Sequence, residues 1–131
     1  MTELEPTVLA ELPAVPESIG PLRRAARDVA ERCGAADEVA SDIALAVSEA
    51  ATNAVVHAYR DEPGILALAA QTIDHEVLFR VIDDGAGLIP RPDSPGMGLG
   101  LPLIARLAEH FEVRPGPSGR GTELVMSFPL D

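Results

Sequence analysis

The spacing of apolar and polar residues divides the chain into segments in the order strand, helix, helix, strand, strand, helix, strand, strand. Short apolar-rich segments bounded by turn residues predict strands over residues 7–12, 65–71, 76–82, 111–114 and 122–128. Helical spacing predicts helices over residues 18–32, 37–59 and 102–109. We expect Ser18 and Asp37 to cap the first two helices. Adjacent strand pairs with grouped helices predict an α+β fold, a two-layer α/β sandwich whose mostly antiparallel sheet is covered on one face by helices.

Length, composition and charge narrow the classes of protein to which the chain can belong. With 131 residues, of which 47% are hydrophobic, we expect a single domain over residues 1–131 with a loose tail at residues 1–6. The net charge of -11 argues against a nucleic-acid-binding protein. All the basic residues are arginine, which excludes a lysine-dependent phosphate loop. No apolar run approaches ~18 residues and no signal sequence opens the chain, so we expect a cytoplasmic protein with no membrane partner.

The helix predicted over residues 37–59 carries a row of polar side chains. Glu49, Asn53 and His57 follow one another at intervals of four residues, which places them on one helical face. Their neighbours along the helix are mostly alanine and valine, so the row lies over small apolar side chains. Burying a carboxylate without a polar partner is costly. The row is therefore either a solvated helix face or a surface that binds a nucleotide together with magnesium.

Glycine-bearing segments follow this helix at three places, and each taken alone is also compatible with an ordinary turn or linker. In the first, Asp83 ends a predicted strand, and Gly85 and Gly87 free the backbone to turn. An aspartate at that point can accept a hydrogen bond from an exocyclic amine such as that of adenine. The second segment, residues 96–102, opens the third helix, whose free N–H groups can bind phosphate. The third segment, residues 119–124, enters the last strand.

Taken in order, these segments resemble the nucleotide-binding motifs of the GHKL ATPase superfamily, whose members share the Bergerat fold. The resemblance covers roughly residues 13–128. Within the superfamily the chain is most similar to stand-alone anti-sigma factor serine-protein kinases of bacteria. Residues 45–59 resemble the N-box of these kinases, and residues 98–104 resemble their second glycine box.

The resemblance implies roles for individual residues. Asn53 is expected to bind Mg²⁺ through its side-chain oxygen, and Glu49 is expected to accept the proton of a substrate serine. Asp83 is expected to hold the adenine amine with help from Thr122. His57 either contacts the phosphates or ties the helix to the sheet. The other residues expected around the nucleotide are Gly85, Gly87, Gly96, Met97, Gly98, Leu99, Gly100, Leu101 and Gly121.

The resemblance also implies a function, that of an ATP- and Mg²⁺-dependent serine/threonine-protein kinase. Such a protein sequesters a sigma factor, phosphorylates a serine of an anti-anti-sigma antagonist, and is a homodimer. One alternative is a nucleotide-gated regulatory binding protein without kinase activity. Another is a detached histidine-kinase-like ATPase domain, which is disfavoured because the helix predicted over residues 18–32 contains no histidine. The lid segment, residues 88–95, is shorter than the lids of histidine kinases and is rich in proline.

Overall fold

A computed structural model of the protein describes residues 4–58, 64–85, 97–117 and 119–130. The strands are β1 (Thr7–Pro13), β2 (Ile65–Ile73), β3 (Glu76–Asp83), β4 (His110–Pro115) and β5 (Thr122–Pro129). The helices are α1 (Ile19–Arg32), α2 (Asp37–Asn53) and α3 (Met97–Leu107). The order of elements is the predicted one, and the largest differences from the predicted bounds lie at the end of α2 and the start of α3.

The described strands form an antiparallel sheet in the order β1-β2-β3-β5-β4. The predicted hairpin between β2 and β3 is confirmed. Its turn consists of Asp74 and His75, whose φ angles are 48° and 65°. Two consecutive residues with positive φ match the right-handed twist of the flanking strands, as in tight hairpins generally. The predicted α+β architecture with a mostly antiparallel sheet is therefore confirmed.

The two faces of the sheet differ in what covers them. Alternate residues of β3 point to opposite faces, and Val77, Phe79 and Val81 are buried while the residues between them are half-buried. The buried face joins the helices in one hydrophobic core. In this core the Phe79 and Phe128 rings meet edge to face with centroids 6.4 Å apart. Helices therefore cover one face of the sheet, as predicted.

Helix α2 lies at the centre of the helical layer because its buried residues are mostly small. The residues that it buries are Ala40, Ile43, Ala44, Ala46, Val47, Ala50, Ala51 and Asn53. Alanines permit close approach, and α2 packs against α1, α3, β3 and β5. By length and composition alone the stretch Asp37–Val56 could cross a membrane, but half of that window is buried inside the protein. It is the central helix of this core.

Of the two predicted helix caps, Ser18 is confirmed in its position and Asp37 is wrong. Ser18 is the N-cap of α1, but its side chain makes no capping hydrogen bond to the described residues. The N-cap of α2 is Ala36, so Asp37 is the first helical residue instead of the cap. At that position its negative charge still interacts favourably with the positive end of the helix dipole.

The predicted helix over residues 37–59 is not α-helical to its end. The α-helix stops at Asn53 and a π-helical turn, Ala54–Ala58, follows. Just before that point the Ser48 and Thr52 hydroxyl groups donate to backbone carbonyls one turn earlier, at 2.7 Å each. Such bonds to the preceding turn tend to bend a helix. Single π-helical turns within helices occur frequently at functional sites.

The start of α3 corrects a second boundary. The helix was expected at residue 102, after a long loop, but it begins at Met97 and contains Pro102. Proline lacks an N–H group, so the intrahelical bond to the Gly98 carbonyl is missing. Proline usually marks the first turn of a helix, and here it lies further inside. Residues 97–101 of the glycine segment are therefore helical.

Leu4, in the segment that was expected to be a loose tail, is hydrogen-bonded to β2. The Leu4 N–H group donates to the Thr72 hydroxyl oxygen at 2.6 Å, and the Thr72 N–H group donates to the Leu4 carbonyl at 2.9 Å. This pair of bonds attaches the start of the described chain to the end of β2.

Candidate functional site

Asp83 and Thr122 lie side by side at one end of the sheet. Asp83 is the last residue of β3, Thr122 is the first residue of β5, and the two are paired across the strands. The strand alternation points both side chains to the helix-covered face, and each is 3% exposed. At this end of the sheet, the apolar face therefore ends in a buried carboxyl group and a buried hydroxyl group.

The Asp83 carboxyl is held by backbone groups. Its Oδ1 atom accepts the Gly85 N–H group at 3.0 Å, and the Thr122 N–H group also donates to the carboxyl. Burial raises the pKa of Asp83 above its ordinary value, and the negative charge of Asp84 raises it further, while the two N–H groups act in the opposite direction. A carboxylate has more acceptor sites than these two donors fill. Asp83 can therefore accept a further hydrogen bond from a ligand in a fixed direction.

Gly121 brings the third glycine segment against the first. Its φ is +74°, and a Cβ atom at this position would lie 1.9 Å from the Asp83 carbonyl oxygen and 2.7 Å from the Asp84 Cα. Any side chain would therefore collide with the backbone that follows β3. Two segments that are far apart in sequence meet at this contact, which places Gly85, Gly121 and Thr122 around Asp83.

Glu49 and Asn53 occupy the last turns of α2. They lie one helical turn apart and so on the same face of the α-helix, as predicted. Asn53 is 6% exposed, and its Nδ2 atom has no hydrogen-bond partner among the described residues. A buried donor without an acceptor costs about 1–3 kcal/mol. The Asn53 amide is therefore a group that a ligand oxygen would complete.

The helical and sheet parts of the site lie on the same side of the sheet. Helix α2 packs against β3 and β5, on the face to which Asp83 and Thr122 point, and α3 packs against α2. Leu101, in the second turn of α3, is half-buried and packs against the core. The helix that carries Asn53 and the helix that opens with the second glycine segment are thus neighbours.

Several predicted site residues lie partly or wholly outside the described residues. Gly87 and Gly96 are outside them. The backbone of His57 belongs to the π-helical turn, and its side chain is not described. For Met97–Gly100 the structure describes a helical backbone and no side chains. Their expected contacts with a nucleotide stay predictions.

Asn53 is compatible with a role as a ligand of magnesium. Within residues 4–58, 64–85, 97–117 and 119–130, no group of three His, Cys, Asp or Glu side chains gathers as a metal site. Mg²⁺ is usually held by one or two protein oxygens together with waters and substrate phosphates. The Asn53 side chain carries one amide oxygen besides the buried Nδ2 atom, and one such oxygen is a ligand set of that kind when a nucleotide supplies the phosphates.

The sequence did not predict a role for two residues near the site, Asp84 and Gly116. The Asp84 Oδ1 atom accepts the Ile65 N–H group at 3.4 Å, which links the start of β2 to the end of β3. Gly116 is buried in the turn between β4 and β5. The sequence shows the adjacent acidic residues Asp83 and Asp84 and the Pro-Gly-Pro segment that contains Gly116. Neither pattern indicates which residues Asp84 and Gly116 contact, because those contacts depend on how the strands pair.

A cavity of about 470 Å³ lies on the face of the sheet opposite the helices, and therefore opposite Asp83 and Thr122. Its floor includes Leu78 and Val125, and its rim carries the paired side chains Glu112 and Arg114, which meet at 2.6 Å. None of the predicted site residues lines it. The candidate site and this cavity are separate features.

Known proteins resemble the chain over most of its length. The sequence model of the histidine kinase-like ATPase domain matches residues 12–128. An anti-sigma F factor of Clostridium acetobutylicum is 30% identical, with 68% of this chain and 69% of the relative covered. The anti-sigma F factor of Caldanaerobacter subterraneus subsp. tengcongensis is 32% identical, with 69% and 70% covered. That of Clostridium beijerinckii is 30% identical over the same shares.

Proposed function

The chain belongs to the histidine kinase-like ATPase family, and on this basis we propose that it is an ATP-binding anti-sigma factor with serine-protein kinase activity. It sequesters a sigma factor and phosphorylates a serine of an anti-anti-sigma antagonist. It acts in the cytoplasm as a homodimer, without nucleic acid or membrane as a partner. The observation that carries the proposal is the buried Asn53 amide without a partner among the described residues, one turn after Glu49.

The sheet end of the site, which consists of Asp83 and Thr122, recognises the base. The Asp83 carboxylate accepts a hydrogen bond from the exocyclic amine of adenine, and Thr122 lies beside it. Because backbone N–H groups of Gly85 and Thr122 fix the carboxyl, its direction is set before the nucleotide arrives. A fixed acceptor of this kind favours bases with an amine over bases without one.

The helical end of the site holds the phosphates and the metal. When bound, Mg-ATP supplies the phosphoryl group together with the cation that neutralises its charge. Asn53 provides an amide oxygen for the cation, and its buried Nδ2 atom provides a donor for a phosphate oxygen. The first N–H groups of α3, which begins at Met97, have no partner within the helix and favour an anion. These donors matter because the chain contains no lysine.

Glu49 is the general base of the proposed reaction. It is half-buried and lies one helical turn before Asn53, so the proton acceptor and the metal ligand share one rigid element. The carboxylate accepts the proton of the serine hydroxyl and aligns its oxygen with the phosphoryl group. Rigid placement of both groups lowers the entropic cost of reaching the reactive arrangement.

The proposal is tested with ATP radiolabelled on its γ-phosphate, Mg²⁺ and candidate anti-anti-sigma proteins of the same organism. We expect acid-stable phosphoserine on the antagonist. This product should be absent when the serine of the antagonist is replaced by alanine. ATP that binds without transfer would favour the nucleotide-gated binding protein instead. Acid-labile phosphohistidine would favour the histidine-kinase-like alternative, and failure to bind ATP would refute all three.

A further inference from the structure

The turn between β4 and β5 is closed around Gly116. The Gly116 N–H group donates to the Gly121 carbonyl at 3.1 Å, and its own carbonyl accepts the Gly119 N–H group at 2.9 Å. A Cβ atom on Gly116 would lie 1.9 Å from the Arg120 carbonyl oxygen. Since that oxygen belongs to the backbone, a side chain at Gly116 requires the two backbone segments of the turn to separate, which displaces Arg120–Gly121 relative to Gly116.

The segment that would move is the one that contacts Asp83. Gly121 packs so closely on the end of β3 that a Cβ atom would lie 1.9 Å from the Asp83 carbonyl oxygen. The next residue, Thr122, donates its N–H group to the Asp83 carboxyl. Displacement of this segment therefore disturbs both the backbone at Asp83 and one of the two donors that orient its carboxyl.

We infer that Gly116 is a positioning residue for base recognition, acting through Gly121 and Thr122 on the Asp83 carboxyl. The inference rests on the proposed function, in which Asp83 accepts the adenine amine. According to this inference, Gly116, which lies outside the glycine motifs, helps the site to prefer bases that carry an exocyclic amine. The contact is steric and backbone-mediated, so alanine is already too large at this position.

The test compares ATP with purine riboside triphosphate, which lacks the exocyclic amine, by titration calorimetry in Mg²⁺ buffer. A lost hydrogen bond to a charged group corresponds to about 10- to 100-fold in affinity. We expect wild type to prefer ATP by such a factor. Gly116→Ala should weaken ATP binding about 10-fold or more, leave purine riboside triphosphate within about 3-fold, and so reduce the preference.

Gly119→Ala is the matched control because the same substitution is made in the same turn. A Cβ atom at Gly119 would meet no atom of the described residues within 4 Å, although its φ of +84° strains any L residue. This variant should lose thermal stability and keep the preference for ATP. If Gly119→Ala reduced the preference as much as Gly116→Ala does, the effect would be general loosening of the turn and the inference would be wrong.

A measurement on the wild-type protein keeps the inference testable if Gly116→Ala does not fold. Coupling between sites is reciprocal, so saturating ATP should slow hydrogen exchange of the Gly116 amide more than saturating purine riboside triphosphate does. Equal protection by the two nucleotides would overturn the inference.

Asp83→Ala separates failure of this inference from failure of the proposed function. That variant must lose the preference for ATP if Asp83 reads the amine. If wild type lacks the preference, or Asp83→Ala retains it, base recognition by Asp83 fails and the inference fails with it. If both behave as expected while Gly116→Ala keeps the wild-type preference, the inference alone fails.

Discussion

The two ends of the candidate site differ in how completely the protein satisfies their polar groups. At the sheet end, the buried Asp83 carboxyl receives backbone N–H groups from Gly85 and Thr122. At the helical end, the buried Asn53 Nδ2 atom has no partner among the described residues, and the α-helix gives way to a π-helical turn directly after it. The sheet end is thus organised by the fold itself, whereas the helical end is arranged for a partner that the fold does not supply.

This difference separates stability from binding. Groups held by backbone contacts contribute to both, because disturbing them also disturbs the strands that carry them. A buried amide without an acceptor destabilises the unliganded protein and gains its hydrogen bond only with ligand. Substitutions at the helical end should therefore change binding and chemistry at little cost in stability, and substitutions at the sheet end should change recognition with some cost.

The largest expected effect is that of Asn53→Ala. We expect Mg-ATP binding to fall below detection, a loss of at least about 100-fold, because the metal ligand and the phosphate donor are both removed. The unliganded protein should be as stable as wild type, or more stable by up to about 1 kcal/mol, because a buried unpaired donor is removed. Calorimetric titration and thermal unfolding without nucleotide measure the two quantities.

Ser48→Ala is a control for Asn53→Ala on the same helix, because its hydroxyl bonds to the Ala44 carbonyl within the helix. It should bind Mg-ATP normally. Normal Mg-ATP binding by Asn53→Ala would show that the helical end of the site is wrongly assigned.

Glu49→Gln should separate binding from chemistry. The amide keeps the size of the side chain but cannot accept the serine proton at neutral pH, so phosphotransfer to the antagonist should fall by about 10²- to 10⁴-fold. Mg-ATP affinity should stay within about 3-fold of wild type, because Asn53 and Asp83 are unchanged. Single-turnover transfer and titration measure the two effects. A parallel loss of both would place Glu49 in the binding site and not in the reaction.

Asp83→Asn addresses the sheet end. Loss of the negative charge should weaken ATP binding by about 10- to 100-fold, because a charge-assisted hydrogen bond is replaced by a neutral one. At most a small loss of stability is expected, because the amide nitrogen cannot accept a backbone N–H group, while removal of the buried charge that raises the pKa of Asp83 acts in the opposite direction. Titration with ATP and thermal unfolding test both, and unaltered ATP affinity would count against base recognition by Asp83.

The sequence predicted the parts of this molecule that repeat a periodic pattern. The element order, the helix-covered sheet and the burial of alternate β3 residues follow from apolar spacing alone. The placement of Glu49 and Asn53 one turn apart follows from the α-helical period. Such features depend on neighbours along the chain, which the sequence displays directly.

The features that apolar periodicity did not predict depend on contacts between distant segments. Only the family resemblance implied that Asp83 and Thr122 act together, because their pairing requires β5 to insert between β3 and β4, a strand order that periodicity does not determine. The π-helical turn after Asn53 and the helical start at Met97 were hidden because the same residues suit an α-helix or a loop. Gly116 had no visible role until Arg120 and Gly121 were seen to close around it.

The smallest expected effect concerns pH and again distinguishes the two ends. Burial raises the pKa of Asp83, so protonation of the carboxyl begins at higher pH than for an ordinary aspartate. The ionised carboxylate is the better acceptor for the adenine amine, so ATP affinity should fall as pH is lowered through this pKa. The loss is about twofold at the pKa and about tenfold per unit below it.

The stability of the unliganded protein should respond in the opposite direction. A folded-state pKa above the unfolded value means that the contribution of Asp83 is greatest below the unfolded pKa and is lost as pH rises through the folded pKa. The ratio of ATP affinity to purine riboside triphosphate affinity is measured at decreasing pH for wild type and for Asp83→Asn. The difference between the two proteins isolates Asp83, because titration of the phosphates cancels in the ratio and protonation of the adenine ring is common to both proteins. Asp83→Asn should flatten this ratio. A wild-type ratio that is constant or rises as pH falls would contradict recognition of the amine by an ionised Asp83, and would leave Asn53 as the part of the site that determines nucleotide binding.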